Sequence, residues 1–143
     1  MKSLEAVRKH AFWLLDFFKG NNIRKHYQDI GLVLNHASSI EATRRREYHL
    51  SAILRHAAAT TRFYKSMKDG AALMDFPVIN KSIVRESLDA FISSKYEKSK
   101  LVSVVTSGST GTPFQVYHDP NKRRRNSADA MFFAQLAGYE LGN

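Results

Sequence analysis

The sequence predicts a mixed α/β chain: a helical N-terminal subregion, then a β-hairpin and a closing helix. Three observations carry this expectation. Apolar residues recur at helical spacing through most of the first hundred positions, the period changes to strand-like alternation at Leu101, and a run of glycines and hydroxyls separates two strand-like segments. The natural division falls between residues 1–100 and residues 101–143.

Leu4, Val7, Ala11, Leu14 and Phe18 share one helical face, Ser3 stands where a cap is needed, and Gly20-Asn21-Asn22 stops the run. A second, weaker helix is expected over Ile23 to His36, with Gly31 as its soft point. Ser38 followed by Glu41 has capping-box spacing, and Ile40, Ile53, Leu54 and Ala57 mark one face of a long third helix. Thr60-Thr61 weakens that helix, and Phe63, Tyr64 and Met67 are expected to anchor a short returning segment ended by Gly70. Phe76-Pro77-Val78-Ile79 reads as extended, because the residue before proline is biased away from helix. Asn80 can then cap a helix from Lys81 towards Ser93. Ser94 to Lys100 is a polar surface loop. Leu101–Val105 and Phe114–His118 are the two strands. Asp119-Pro120 is a strong helix start, and Gly138 is placed to end that helix.

The chain has 143 residues, enough for one domain with a core, and no cysteine, which rules out disulfides and thiolate metal sites. A cytoplasmic location is the expectation. Twenty-two basic and 13 acidic residues leave a formal charge of +9, which suits an anionic partner: a polymer, a membrane surface or a nucleotide. The most apolar early stretch, Ala11 to Phe18, contains Asp16 and falls short of the roughly 20 apolar residues a membrane span needs. No secretory leader pattern precedes it.

The run between the strands, within VVTSGSTGTPFQVYHDP (104–120), is the chemically distinctive feature. A loop that wraps a phosphate chain needs inward-facing backbone amides, which Gly108 and Gly111 permit because they carry no Cβ and tolerate positive φ. Hydroxyls on Thr106, Ser107, Ser109, Thr110 and Thr112 add neutral donors able to follow several phosphate oxygens. The competing reading is an ordinary hairpin loop rich in turn formers. The Walker A and dinucleotide-fold registers are absent.

Thr106-Ser107-Gly108-Ser109-Thr110-Gly111-Thr112-Pro113 resembles throughout the phosphate-loop signature of the adenylate-forming superfamily. Many members place lysine after the proline. Phe114 here is similar instead to the branch that holds phenylacetate-CoA ligases and CapK-type capsular polysaccharide biosynthesis proteins. LRHAAATTRFYKSM (54–67) resembles that branch's helix and following Phe-Tyr element, with Arg62 where proline is usual. DFPVINKSIVRESLDAFI (75–92) and GYELGN (138–143) are similar to its neighbouring segments. The short spacing from Lys81 to Thr106 favours the CapK-like side. The resemblance spans residues 48–143.

That resemblance implies that ATP and Mg²⁺ react with a small carboxylate to form an acyl-adenylate and pyrophosphate. Coenzyme A or another acceptor can then take the acyl group, in acyl activation or polysaccharide biosynthesis. It assigns Thr106, Ser107, Gly108, Ser109, Thr110, Gly111 and Thr112 to the nucleotide phosphates and makes none of them a proton-transfer base. In the family, the elements for adenine, acyl group, metal and a late catalytic lysine follow this loop. Residues 101–143 are therefore expected to be the incomplete start of the nucleotide-binding domain, in a truncated N-terminal fragment inactive by itself. An isolated hairpin is also expected to leave backbone groups unpaired and to favour self-association.

Among the remaining features, Lys122–Arg125 and Arg44–Arg46 read first as solvated faces and second as phosphate-attracting patches. With Tyr48, Phe63 and Tyr64 they support the rival reading, a basic helical module that binds nucleic acid or other anions without catalysis. No helix-turn-helix, RNP or zinc spacing accompanies them, so no specific nucleic-acid partner is expected. The histidines at 10, 26, 36, 49, 56 and 118 form no metal-ligand pattern, and His118 alone, at the end of the strand leaving the loop, stands near the expected site. Lys81 reads as a first-turn surface residue. Phe12, Trp13, Phe17 and Phe18 on the first helix read as core, with a membrane or partner surface as the alternative.

Overall fold

The structure, a computed structural model, describes residues 2–20, 22–106 and 113–142. It is mixed and mostly helical, with one two-stranded antiparallel sheet and a C-terminal helix. The helices are α1 (Lys2–Phe18), α2 (Asn22–Asn35), α3 (Ile40–Thr60), α4 (Lys81–Glu86) and α5 (Pro120–Leu136). The strands are β1 (Val102–Val105) and β2 (Gln115–His118). Short 3₁₀ turns lie at Arg62–Tyr64, Leu73–Asp75, Leu88–Phe91 and Lys98–Lys100. The chain forms two compact units, one of residues 1–44 with 121–143 and one of residues 45–120.

In the first unit α1, α2 and α5 come together. Gly20, at φ +95°, takes the left-handed conformation that ends α1 where Gly20-Asn21-Asn22 predicts a stop. The carboxylate of Asp16, only 5% exposed, accepts hydrogen bonds from the amides of Ile23 (3.1 Å) and Arg24 (2.9 Å), so a residue of α1 caps the first turn of α2. α2 runs unbroken through Gly31. Ile30, Ala128 and Phe132 are buried together, with Ile23 and Tyr27 packed against them. An aromatic series joins the three helices: Trp13 meets Tyr27 edge-on at 5.9 Å, and Tyr27 meets Phe132 at 5.6 Å. The Tyr27 hydroxyl donates to Gln135 Oε1, and Arg125 donates to Asp29 at 2.7 Å.

In the second unit α3 ends at Thr60, as the threonine pair predicts. Thr61 is buried and forms an isolated antiparallel bridge with Ser93, while the Ser94 amide donates to the Thr60 carbonyl at 2.8 Å. Phe63 stacks on Phe91 with centroids 4.1 Å apart, and Tyr64 lies edge-on to both Phe76 and Phe91. Phe63 and Tyr64 therefore anchor this segment, as expected. Burial raises the Tyr64 phenol above its ordinary pKa.

Four local expectations are corrected. Ser39, not Ser38, caps α3: its Oγ accepts from the Ala42 amide at 3.1 Å, and its carbonyl accepts from Thr43. The helix from Lys81 stops at Glu86, because Ser87 leaves helical geometry at φ −126°, ψ 31°, and a 3₁₀ turn follows. The polar stretch 94–100 ends in a 3₁₀ turn at Lys98–Lys100, not in loop alone. On α1 the aromatic residues read as core are split: Phe12 and Trp13 are half-buried, whereas Phe17 and Phe18 are exposed, Phe18 by 75%, as are Leu4, Val7 and Leu14, and Asp16 is buried.

Candidate functional site

The hydroxyl run lies between β1 and β2, which pair antiparallel in the register Val102↔His118, Ser103↔Tyr117, Val104↔Val116 and Val105↔Gln115. β-Branched valines at 102, 104, 105 and 116 favour the extended backbone of both strands. The ladder continues one step beyond the strands: the Thr106 amide donates to the Phe114 carbonyl at 2.9 Å, and the Phe114 amide donates to Thr106 Oγ1 at 3.2 Å. Two hydrogen bonds thus tie together the residues on either side of the run. Thr106 is the one predicted site residue among the described residues, and its hydroxyl serves this tie. Ser107, Gly108, Ser109, Thr110, Gly111 and Thr112 lie outside the described residues.

Side chains brace the hairpin. Gln115 Nε2 donates to Ser103 Oγ at 2.8 Å and to the Tyr117 hydroxyl at 3.3 Å, a polar link that the register makes possible. The Lys98 ammonium lies 5.4 Å from the Tyr117 ring centroid and donates to Asp89 Oδ1 at 2.6 Å. The hydrogen bond from Lys98 holds the Asp89 carboxyl below the usual carboxylate range, and the same bond holds the Lys98 ammonium above the usual lysine range.

Lys81 stands closer to the run than its sequence position suggests. Asn80 Oδ1 accepts from the Ile83 amide at 3.0 Å, which fixes the first turn of α4. From there the Lys81 ammonium reaches to 5.8 Å from the Phe114 ring centroid. Sequence reasoning placed Lys81 only as a surface residue, since nothing local connects it with a phenylalanine 33 positions away. His118 closes β2 opposite Val102 and is half-buried.

A cleft of about 280 Å³ opens beside β2, lined among others by His56, Phe91, Tyr96, Leu101, Val116 and Tyr117. A larger one, about 540 Å³, lies along α3 at Leu50, Leu54 and Arg55 and is closed by residues 68–73 and Phe76, with no hairpin residue in its wall. Among the described residues no group of three His, Asp or Glu side chains is gathered for a metal ion. No described helix is long and apolar enough to cross a membrane.

The basic runs are partly engaged. Arg125 is bound to Asp29 and lies 3.5 Å from Asp129, and Arg45 lies over the Tyr48 ring at 5.5 Å. Set against known proteins, the chain matches no family model, no curated protein and no solved structure.

Proposed function

We propose that this chain carries the phosphate-binding segment of an ATP-dependent adenylate-forming ligase, similar to CapK-type proteins and phenylacetate-CoA ligases. One observation carries the reading: the run from Thr106 to Pro113 has the order of that family's phosphate loop and is set between two paired strands, with its flanks Thr106 and Phe114 hydrogen-bonded to each other.

In this reading MgATP is the substrate with a small carboxylate. A carboxylate oxygen attacks the α-phosphorus, the bond to the β-phosphate oxygen breaks, and its electron pair leaves with pyrophosphate. Thr106 to Thr112 orient the β and γ phosphates and meet the charge that grows on the leaving group. Neutral hydroxyls and amides suit a group that must depart, because they stabilise charge without a permanent ion pair. The acyl-adenylate then passes its acyl group to a thiol such as coenzyme A or to another acceptor, the acyl–oxygen bond breaking as AMP leaves.

The test is a calorimetric titration of the chain with MgATP and, separately, with pyrophosphate. Saturable binding is expected for both, and Gly108→Val and Gly111→Val should each remove it while the far-ultraviolet dichroism stays as in the parent. If pyrophosphate fails to bind, or if it binds equally to both valine variants, the reading is wrong.

A further inference from the structure

We infer that α1 is a membrane-surface helix, whose exposed apolar strip lies in the headgroup boundary of an anionic lipid bilayer. This role is independent of the ligase reading: it involves the other unit of the chain and no nucleotide. At about 100° per residue, Leu14, Val7, Phe18, Ala11, Leu4 and Leu15 fall in that order across one contiguous strip of the helix. All six are exposed, Val7 by 64% and Phe18 by 75%. Phe17 flanks the strip, also exposed, with its ring edge-on to Phe18 at 5.8 Å. Apolar surface gathered in this way marks a place of contact, whereas single exposed apolar residues do not. The opposite face of α1 is already occupied. There Asp16 accepts from the amides of Ile23 and Arg24, and Trp13 meets Tyr27 edge-on, so the strip can enter lipid without disturbing what holds the helix to α2.

Charge decides the occupant. Arg8 and Lys19 border the strip on one side, about 20° apart around the helix, both exposed and neither in an ion pair with a described carboxylate. The two acids of α1 are turned away from the strip, Glu5 half-buried and Asp16 buried. An apolar strip with a cationic border and no acid beside it complements acyl chains under anionic headgroups, and the formal charge of +9 adds attraction at longer range. A second copy of the chain is a poorer match. In a twofold pair the border of Arg8 and Lys19 would meet either itself or the opposite border at His10 and Phe17, and neither carries an acid. No described helix is long and apolar enough to cross a membrane, so the mode open to α1 is to lie along the surface.

The experiment sediments the full chain with sucrose-loaded vesicles at low salt and without nucleotide. One set is phosphatidylcholine and phosphatidylserine in equal parts, the other phosphatidylcholine alone. The parent is compared with two double variants of α1, Leu14→Gln with Phe18→Gln and Arg8→Gln with Lys19→Gln, and with two of the other unit, Met74→Gln with Val78→Gln and Lys65→Gln with Lys68→Gln. The last two control for the loss of exposed apolar groups and of positive charge. Every substituted side chain is exposed, so the far-ultraviolet dichroism should stay as in the parent. The parent should bind the mixed vesicles about tenfold more tightly than phosphatidylcholine alone, with the difference shrinking as salt is added. On mixed vesicles each α1 pair should weaken binding about tenfold, and each control pair should stay within about threefold of the parent. A parent that does not bind the mixed vesicles, or binds both kinds equally, overturns the inference, as does a loss in either control pair equal to that of its α1 counterpart. If the parent instead sediments as a dimer without lipid, and Leu14→Gln with Phe18→Gln returns it to monomer while vesicle binding stays as in the parent, the strip belongs to a second copy and the inference falls.

Discussion

The two compact units are held together by different physics. All four apolar residues that are buried among those described, Ile30, Ala42, Ala128 and Phe132, belong to the unit of residues 1–44 and 121–143, together with the buried carboxylate of Asp16. In the unit of residues 45–120, which carries the hairpin, the one buried described residue is polar Thr61. There the order comes from half-buried rings, Phe63 on Phe91 with Tyr64 and Phe76 at their edges, and from hydrogen bonds that tie Thr60 and Thr61 to Ser93 and Ser94. The difference teaches where burial is spent: the candidate site sits on the unit with less of it, where local bridges and ring contacts set geometry.

The sharpest way to break this contrast is to remove one ring from each unit. Phe132 is 5% exposed at the centre of its cluster, so Phe132→Ala should cost about 3–5 kcal/mol. Phe91 is half-buried, and Phe91→Ala should cost about 1–2 kcal/mol, mostly through the lost stack on Phe63. Trp13 is the single tryptophan and lies in the first unit against Tyr27, so its fluorescence during urea unfolding reports that unit alone. Phe132→Ala should shift the fluorescence midpoint strongly, and Phe91→Ala should leave it in place. A shared shift would mean that the two units unfold as one, and the contrast would lose its energetic content.

The same contrast explains what could be read in advance. Caps that act within three or four residues were legible: Asn80 was placed correctly because its acceptor and the Ile83 amide are neighbours in sequence. Where two serines offered the same chemistry, at 38 and 39, spacing alone could not choose between them. The strands were legible from alternation to within a residue, and their pairing followed from the glycine run between them. The inward face of α1 was not, because periodicity finds an apolar stripe but not its partner. Asp16 is inward for a reason located in α2, the uncapped amides of Ile23 and Arg24. The break of α4 at Ser87 likewise has no local signal, since Phe91 is drawn onto Phe63 by a contact 28 positions apart. Of the candidate site, the framing strands were legible and the Lys81–Phe114 contact was not, for the same reason of separation.

Asp16 offers a second, smaller test. Asp16→Ala leaves two helix-start amides without their acceptor in a buried place, and should cost about 1–2 kcal/mol. Asp16→Asn keeps an acceptor oxygen for one of them and should recover part of the loss. Both shifts belong to the tryptophan-reported transition. Equal stability of Asp16→Ala and the parent in that transition would show that α2 starts without the cap, leaving Ile30, Ala128 and Phe132 to hold the unit alone.

The smallest expected effect lies in the other unit, at the Asp89–Lys98 pair beside Tyr117, whose side chains are 67% and 51% exposed. Its signs are opposite at the two ends of the pH scale. Asp89 has a folded pKa below its ordinary value, so its contribution is present above that ordinary value and is lost as pH falls through the lowered one. Lys98 has a folded pKa above its ordinary value, so its contribution is present below the ordinary lysine range and is lost as pH rises through the raised one. The pair therefore supports the hairpin's flank across neutral pH and fails at both extremes, and solvent and salt keep its energy small. A carbon-13 titration of the Asp89 carboxyl should find its midpoint below the usual aspartate value, returning to it in Lys98→Met. A midpoint unmoved by that substitution would show that Lys98 is not what holds the Asp89 carboxyl below its usual range, and the pair would lose its share in the pH dependence of this unit.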